Sequence, residues 1–541
     1  MRISLRWVYL LGLLTLIFGA RAFQSLAMPS HTPQGTTRVA IVKVQSNVEE
    51  AVREAVRLAG GLEGIIKPGD LVVVKPNLVM DAPAGSGMVT DPVVTRVMVR
   101  IAFEAGAREV IIAEGTAQYS QGDPNRDRFC TQAAFRVAGY DLDSDMKDDV
   151  TGVPLVDLND SGGTDAADPS KVTRVVIPAG LIRKEYWLPN LILRADVLIS
   201  VPVLKNHFLA GVTLGMKNMI GALPNDLYHA PGCIFGKHSL SHIPVELDRH
   251  IVDINLARKP DFVVVDGQRG MIDGPIGSKI IEPPMGLIIA GQDVVAVDTI
   301  GALVMGYDPS SIPYIQMAAQ SGLGIADTAR IRVVGMPVVQ VRRDFPAPYG
   351  DSLARRADSE PPKVAINAPN RVLLPKKFRV KVEASDNETI ARVELYLGRK
   401  WIGSLLAPPY EFEIESSQYS PGKHTLQAIA YDRCLNQAWS SQEVFLLPPA
   451  PTETFTPTPL PPTDTPSPTS TPFPTPTPVE ITPKFPSPLP TASPVPATPT
   501  PAVPVSVQTE VMPWYLNIFC LLSMAVLGIC LAVFFTLSRR K

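Results

Sequence analysis

Residues 71–77 read Leu-Val-Val-Val-Lys-Pro-Asn, and this stretch decides the fold of the larger part of the chain. Four apolar residues in a row are typical of a strand that is buried on both faces of a sheet. The polar Lys75 and Asn77 follow this run directly, so they would lie where the strand ends. The stretch therefore predicts a buried strand with polar groups at its carboxyl end.

A helix and further strands are predicted on either side of this segment. Thr90-Asp91-Pro92 offers a capping side chain and a proline for the first helical position, and Gly106 would end that helix. Strand and helix then alternate, which predicts an α/β fold for about residues 38–336, with a mostly parallel sheet flanked by helices. The other predicted strands are 110–113, 197–201, 262–265 and 287–290, and the other predicted helices are 245–257 and 294–305.

Residues 361–447 follow a different pattern, in which apolar side chains occupy every second position. The runs are separated by turn residues at Gly398 and Pro421-Gly422. Short alternating strands of this kind predict a small all-β sandwich of the immunoglobulin-like type. A passive spacer is the favoured role for such a module, because the fold alone assigns no function. The alternating residues are Phe378, Val380, Val382, Val393, Leu395, Leu397, Tyr410, Phe412, Ile414, Leu426, Ala428 and Ala430.

The segment 448–505 consists mostly of proline, threonine and serine, and the whole chain contains 54 prolines. Such a segment buries too little apolar surface to fold, so we predict a disordered spacer with extended polyproline character. At about 3.1 Å per residue it could hold the domains up to ~150 Å from a membrane.

The two ends of the chain predict its location. Residues 1–22 combine a basic start, a short apolar run and an Ala-Arg-Ala site, which is the pattern of a secretory signal peptide; an uncleaved anchor is the alternative. Residues 514–537 are long and apolar enough for a transmembrane helix, and a basic end follows at 539–541. By the positive-inside rule we predict a single-pass protein of the cell membrane, with the bulk of the chain extracytoplasmic.

Composition argues against several classes of function. The formal net charge of −2, without an internal basic run, gives no reason to expect a nucleic-acid partner. The five cysteines form no C-x-x-C pair, so neither a zinc knuckle nor an iron–sulfur cluster is indicated. His238 and His242 are four apart but lack a clear third ligand, and we predict no metal site. The histidines between 207 and 250 are His207, His229, His238, His242 and His250.

Ionisable residues follow several of the predicted strands. Lys75, Glu114, Lys205 with His207, and Asp266 each come at or just after the end of an apolar run. If the sheet is parallel, these ends share one edge, where open α/β sheets bind their ligands. We therefore predict one crevice at this edge; ordinary loop polarity with helix capping is the alternative.

The stretch 215–221, Gly-Met-Lys-Asn-Met-Ile-Gly, is a second candidate for ligand contact. Its small residues allow close approach of the backbone, and Lys217 could meet an anion near a helix terminus. The pattern is not that of a P-loop, and no dinucleotide-binding glycine pattern is found.

Together with the strand-end residues described above, the stretch 215–221 resembles the family called domain of unknown function 362. The resemblance extends over about residues 38–336. Within that family the activity is unsettled. Some relatives carry ferredoxin-like cysteine motifs, which this chain lacks, so the resemblance implies no cluster-based redox role. A short likeness to the N-terminal part of nickel-dependent lactate racemases covers too little of the chain to imply a substrate. Residues 407–410, 422–424 and 430–432 resemble bacterial immunoglobulin-like domains. The first resemblance is carried by residues 75–77, 90–92, 205–207, 215–221 and 293–298.

We therefore expect a surface-displayed enzyme that acts on an anionic small molecule or an envelope component, with envelope polymers as partners. A non-catalytic binding module on a stalk is the alternative, and no cofactor is indicated. The site residues should be exposed, so that Lys75→Ala or Lys205→Ala would change stability little. The predicted catalytic residues are Glu114, His207 and Asp266, and the predicted ligand-binding residues are Lys75, Asn77, Asp91, Lys205, Lys217 and Asn218.

Overall fold

A computed structural model describes residues 35–448, apart from 118–125, 163–166, 229–236, 238, 278, 349 and 351. The predicted signal peptide, the spacer from residue 449 onward and the predicted transmembrane helix lie outside the described residues. Within those ranges, no helix combines the length and the apolar character that crossing a membrane requires.

Strands β1 to β14 belong to the α/β part of the chain. They are β1 (Thr37–Lys43), β2 (Leu71–Pro76), β3 (Glu109–Glu114), β4 (Leu155–Asp157), β5 (Val172–Val176), β6 (Glu185–Pro189), β7 (Val197–Val201), β8 (Val203–His207), β9 (Gly211–Thr213), β10 (Phe262–Met271), β11 (Leu287–Gly291), β12 (Tyr307–Asp308), β13 (Ile331–Gly335) and β14 (Arg355–Arg356).

The helices of the same part are α1 (Val48–Ala59), α2 (Pro92–Glu104), α3 (Arg126–Ala138), α4 (Asn190–Arg194), α5 (Gly215–Asn218), α6 (Asn225–Tyr228), α7 (Glu246–Ala257), α8 (Val294–Val304), α9 (Pro313–Gln320) and α10 (Val338–Val341). Short 3-10 turns lie at Met219–Ala222, Pro309–Ser311 and Thr328–Arg330.

The central sheet runs in the order β13-β1-β11-β10-β7-β2-β3-β4, and β8 and β9 extend it beside β10. Along the path from β13 to β4, neighbouring strands are parallel except at β11, which is antiparallel to both β1 and β10; β9 is also antiparallel to β8. The predicted strand at 287–290 therefore exists but makes the sheet mixed. The described part of the connection between β10 and β11 contains no helix, and only a helical crossover would have returned the chain in the parallel direction.

Both faces of the sheet are covered by helices, as the alternation predicts. In β2, Val72 and Val74 pack with residues of α1 and α2. Val73, which points the other way, packs with Met219 and with Ile254 of α7. Beside β10 and β11, residues of α7, α8 and α9 complete a second core on this face. The continuous apolar run of β2 is thus explained by burial on both sides.

The predicted start and end of α2 are confirmed. Asp91 caps the helix, because its Oδ1 accepts a hydrogen bond from the Val93 amide at 2.9 Å. Pro92 occupies the first turn, where its missing N–H is not needed. Gly106 has φ +105°, a conformation that glycine adopts at little steric cost, and it follows the end of the helix.

The second folded part is the all-β sandwich. One sheet has the order β15-β17-β20 and the other has the order β16-β22-β21-β18-β19. The alternating apolar residues from Phe378 to Ala430 are each at most 7% exposed and form the core between the sheets. The strands are β15 (Lys363–Asn367), β16 (Arg371–Leu373), β17 (Lys377–Ser385), β18 (Ile390–Leu397), β19 (Lys400–Leu405), β20 (Tyr410–Glu415), β21 (Gly422–Asp432) and β22 (Gln437–Leu447).

Candidate functional site

The predicted strand ends lie at one edge of the sheet. Strands β3, β2, β7 and β10 are parallel neighbours, so their carboxyl ends point the same way. Strand β8 continues from β7 after Pro202 and pairs in parallel with β10, with Val203 opposite Asp266. The antiparallel β11 carries none of the predicted site residues. This edge holds three separate groups of polar side chains.

The first group is a buried ion pair between Lys75 and Glu114. The Lys75 ammonium lies 2.9 Å from Glu114, and the two side chains are 0% and 2% exposed. Glu114 also accepts hydrogen bonds from the amides of Leu78 at 3.0 Å and Gly115 at 2.7 Å. Burial lowers the pKa of Lys75, whereas the charge of Glu114 and its hydrogen bond oppose this shift.

Asn218 joins this pair. Its Oδ1 lies 3.3 Å from the Lys75 ammonium, and its Nδ2 donates to the Lys75 carbonyl and to Ser200 Oγ. Gly221 closes over the pair, because a Cβ at this position would meet Glu114 Oε1 and lie 2.6 Å from the Lys75 nitrogen. The expectation that Lys75 is an exposed site residue was therefore wrong: β2 extends to Pro76, and its last residues are covered. In this arrangement the charges of Lys75 and Glu114 balance each other, and Asn218 Oδ1 accepts a hydrogen bond from the Lys75 ammonium.

Asn77 fixes the start of α2 against the end of β2. Its amide donates to Thr90 Oγ1 at 2.8 Å, and the Thr90 amide donates back to the Asn77 carbonyl at 2.9 Å. Thr90 Oγ1 in turn donates to the Val201 carbonyl at 2.6 Å. The side-chain oxygen of Asn77 is buried and has no hydrogen-bond partner within the part of the chain that the structure describes.

The second group surrounds a cleft of about 280 Å³ at the ends of β8 and β10. Asp91 and Asp266 both line it, and the Asp91 amide donates to Asp266 Oδ2 at 2.9 Å. Burial raises the pKa of Asp266 to about 6, although hydrogen bonds from the amides of Asp91 and Gln268 oppose the shift. A carboxyl group with this pKa can exchange a proton near neutral pH.

Sequence reasoning missed Arg269, which lines the same cleft. Strand β10 was expected to end at Val265, but it continues through Asp266-Gly267 to Met271 and brings Gln268 and Arg269 to the cleft. The Arg269 side chain is exposed, and it makes no hydrogen bond or ion pair with the residues that the structure describes. The sequence Gly267-Gln268-Arg269-Gly270, just beyond the predicted strand end, was the signal that could have identified Arg269.

The third group lies on one face of the β8–β9 hairpin. Lys205 is directly opposite Thr213 in the antiparallel register, and His207 is two residues further along the same face. All three are buried, and Thr213 Oγ1 has no hydrogen-bond partner among the described residues. The Lys205 ammonium contacts only carbonyl oxygens among the described residues, at 2.7 Å from Met88 and 3.2 Å from Pro275. Burial and the nearby charge of Lys217 lower the pKa of Lys205 to about 7.

His207 is held as a neutral imidazole. Its Nδ1 accepts hydrogen bonds from the amides of Leu209 and Ala210 at 3.1 and 3.2 Å. Burial and the nearby charges of Lys217, His242 and Lys205 lower its pKa well below the usual value. Because Nδ1 is an acceptor, the ring proton of the neutral form lies on Nε2, which can donate to a ligand.

Lys217 completes this group. It is half-buried, and its ammonium makes no hydrogen bond with the residues that the structure describes. Burial lowers its pKa to about 8, and the nearby Asp248 opposes the shift. The charge of Lys217 therefore acts on both Lys205 and His207, and none of the three has a carboxylate at hydrogen-bond distance among the residues that the structure describes.

The expected anion site at a helix terminus beside Lys217 is not available. Helix α5 has only four residues, and its first amides, those of Gly215 and Met216, donate to the Asp298 carboxyl at 2.7 and 3.1 Å. Tyr314 donates to the same carboxyl at 3.2 Å. Because Asp298 occupies these two amides, they are not free to bind a ligand near Lys217.

The histidines do not define a metal centre within the described residues, and His229 and His238 lie outside them. His250 is buried in α7, where Tyr186 Oη lies 2.6 Å from Nδ1 and the Ser241 amide donates to Nε2. Two trios of aspartates bring their carboxylate oxygens within 4.8 Å of one another, away from the three groups described above. The absence of a metal site stays a prediction. The trios are Asp141 with Asp143 and Asp149, and Asp358 with Asp386 and Asp432.

Comparison with known families confirms both predicted resemblances. Residues 72–303 match the family described as a domain of unknown function, DUF362. Residues 362–428 match the bacterial Ig domain family. The first match contains all three groups at the sheet edge.

One curated relative is a thylakoid-associated protein of Synechocystis sp., which is 27% identical over 282 residues, or 52% of this chain and 76% of that protein. Among solved structures, the lactate racemase apoprotein of Thermoanaerobacterium thermosaccharolyticum has a TM-score of 0.26 and 18% identity over 49% of this chain and 55% of that one. Fibronectin(III)-like modules of Clostridium thermocellum CbhA have a TM-score of 0.16 and 25% identity over 18% of this chain and 52% of theirs. Scores this low carry no argument about the site.

Proposed function

We propose that this protein is displayed outside the cell on a single-pass membrane anchor, and that its α/β domain acts on a small anionic molecule or an anionic envelope component. The thylakoid-associated relative supports a location at a membrane. The bacterial Ig domain that follows the α/β domain is consistent with a module displayed on a surface.

The observation that carries the proposal is the group formed by Lys205, His207 and Thr213 of the hairpin together with Lys217 of α5, which we call the basic face of the β8–β9 hairpin. The charge of Lys217 lowers the pKa values of Lys205 and His207, and none of the three side chains has an acidic partner at hydrogen-bond distance within the described ranges. Burying positive charge is unfavourable, and Asp248 and Glu114 offset the lowered pKa values of Lys217 and Lys205 only in part, so an anion bound here would relieve both desolvation and mutual repulsion. Thr213 Oγ1, which is buried and has no hydrogen-bond partner among the described residues, adds a hydroxyl donor.

The neighbouring groups favour an enzyme over a passive binding module. Asp266 has a pKa of about 6 and Lys205 a pKa of about 7, so both can gain and lose protons at neutral pH. Val203 lines the cleft beside Asp266, and Lys205 lies only two residues further along β8. A paired acid and base with displaced pKa values is a common feature of catalytic sites. Glu114 is not retained as a proposed catalytic residue, because Lys75 and two backbone amides already bind its carboxylate.

Isothermal titration of the full chain with inorganic phosphate at pH 6.5 tests the proposal. We expect saturable binding, and we expect Lys217→Gln to weaken it by about tenfold or more, because a charge-assisted hydrogen bond contributes roughly 1.5–3 kcal/mol. Lys363→Gln is the matched control, since Lys363 is an exposed lysine of the β-sandwich.

Equal loss of binding in the two variants, or no binding to the wild-type protein, would contradict the anion site. Saturable binding of candidate phosphate esters without any turnover would instead favour the alternative of a non-catalytic binding module.

A further inference from the structure

We infer that the ligand of this site is a phosphorylated polyol, whose hydroxyl groups enter the cleft between Asp91, Asp266 and Arg269. The inference rests on the proposed anion site and names the class of substrate that it takes. The phosphate would bind at the basic face of the β8–β9 hairpin, and the polyol would extend from it into the cleft.

The cleft is adjacent to the basic face. Val203 lines the cleft and lies two positions before Lys205 on β8, a separation of roughly 7 Å along a strand. The Lys205 ammonium also contacts the carbonyl of Met88, whose neighbours Gly87 and Val89 line the cleft. One small molecule can therefore reach both places.

The polar groups of the cleft retain capacity for a ligand. Asp266 Oδ2 accepts one hydrogen bond, from the Asp91 amide, and Asp91 Oδ1 accepts one from Val93. The Arg269 guanidinium makes no hydrogen bond or ion pair with the described residues, while the Arg269 carbonyl accepts a hydrogen bond from the Met285 amide. Gly85 keeps the space beside the guanidinium open, since a Cβ there would lie 3.4 Å from Arg269 Nη2.

The two carboxylates and the guanidinium of the cleft together favour a ligand with hydroxyl groups. An ionised carboxylate only accepts hydrogen bonds, and a guanidinium only donates them. A hydroxyl group does both, so it can donate to Asp91 or Asp266 while it accepts from Arg269. An ammonium group cannot accept from Arg269, and a second anionic group would be repelled by the two carboxylates.

The size of the cleft agrees with this class. A cleft of about 280 Å³ has room for a small polar molecule such as a triol or a single sugar ring, because one water molecule needs only ~10–15 Å³ of such volume. The cleft is too small for a long apolar chain, and none of its charged side chains would favour one.

Titration calorimetry of the full chain with inorganic phosphate, glycerol and glycerol 3-phosphate tests the inference. We expect glycerol 3-phosphate to bind at least tenfold more tightly than inorganic phosphate, and glycerol alone to bind weakly. Arg269→Gln and Asp266→Asn should each remove most of that tenfold gain and leave the affinity for inorganic phosphate within about twofold. Arg108→Gln, an exposed arginine on the loop before β3, is the matched control.

Each outcome has a distinct meaning. Equal affinities for phosphate and glycerol 3-phosphate, or an Arg269→Gln variant that retains the gain, would overturn the polyol inference and leave the anion site intact. No binding of phosphate at all would overturn the proposed function itself. A poly(glycerol phosphate) chain that binds more tightly per unit than the monomer would identify an envelope polymer as the source, and equal binding would identify a soluble ester.

Discussion

Replacement of Glu114 by glutamine tests whether the Lys75–Glu114 pair supports the fold. The substitution keeps the size of the side chain and removes its charge. Because the two side chains are 0% and 2% exposed, the variant leaves the Lys75 ammonium buried without a carboxylate in contact. Removing one partner of a buried pair typically costs about 3–5 kcal/mol, and we expect Glu114→Gln to be destabilised by this amount near neutral pH.

The loss should depend on pH in a defined direction. Burial already lowers the pKa of Lys75, and Glu114 opposes that shift, so loss of Glu114 lowers the pKa further. Above this folded-state pKa and below the unfolded value of about 10.4, the unfolded chain binds more protons than the folded one. The free energy of unfolding of the variant should therefore rise with pH, by up to about 1.4 kcal/mol per unit, and approach that of the wild-type protein near pH 10.

Urea unfolding followed by circular dichroism measures this effect. With a slope of about 3 kcal/mol/M for a large domain, the midpoint should fall by roughly 1–2 M. The double variant Lys75→Met/Glu114→Gln contains no uncompensated charge, so it should recover much of the loss and show no extra pH dependence. A single variant within 0.3 M of the wild type, or a double variant no more stable than the single one, would refute the structural role of the pair.

Three further predictions concern other parts of the chain. Phosphate affinity should fall between pH 6.5 and pH 9, because Lys205 and Lys217 lose protons at about 7 and 8; affinity that stays constant in calorimetry would contradict their role. Gly221→Ala should lower the free energy of unfolding by about 1–3 kcal/mol, because its Cβ would enter the space of Glu114 and Lys75; an unchanged urea midpoint would show that the pair can move. Protease added to intact cells should cut the exposed spacer and release both folded domains. Complete protection of the domains in cells whose envelope is verified to be permeable to the protease would contradict the outside location.

The sequence was sufficient to predict some elements of both folded parts. The apolar run of β2, the Asp91-Pro92 helix start and the alternation from Phe378 to Ala430 are local patterns, and each directly reflects burial. The direction of β11 could not be predicted in this way, because a buried strand has the same periodicity in either direction. It is set by the connection from β10, whose described part contains no helix.

The shared sheet edge of the candidate site residues could be predicted, but their burial and partners could not. Parallel strand ends share an edge, so Lys75, Glu114, Lys205 and Asp266 could be placed there from the sequence alone. Their burial depends on partners far away in sequence: Lys75 is compensated by a carboxylate 39 residues later. Arg269 was missed because β10 continues beyond the Asp-Gly pair, where a strand end was expected.

The most direct test of the anion site is a crystal structure of the protein soaked with tungstate, a phosphate analogue whose anomalous signal locates it without ambiguity. The account predicts a strong anomalous peak on the basic face of the β8–β9 hairpin, in contact with the Lys217 ammonium and the Thr213 hydroxyl. This peak should be absent from crystals of Lys217→Gln. A strong peak at another place, or no peak at this face at a tungstate concentration that saturates the protein in solution, would contradict it.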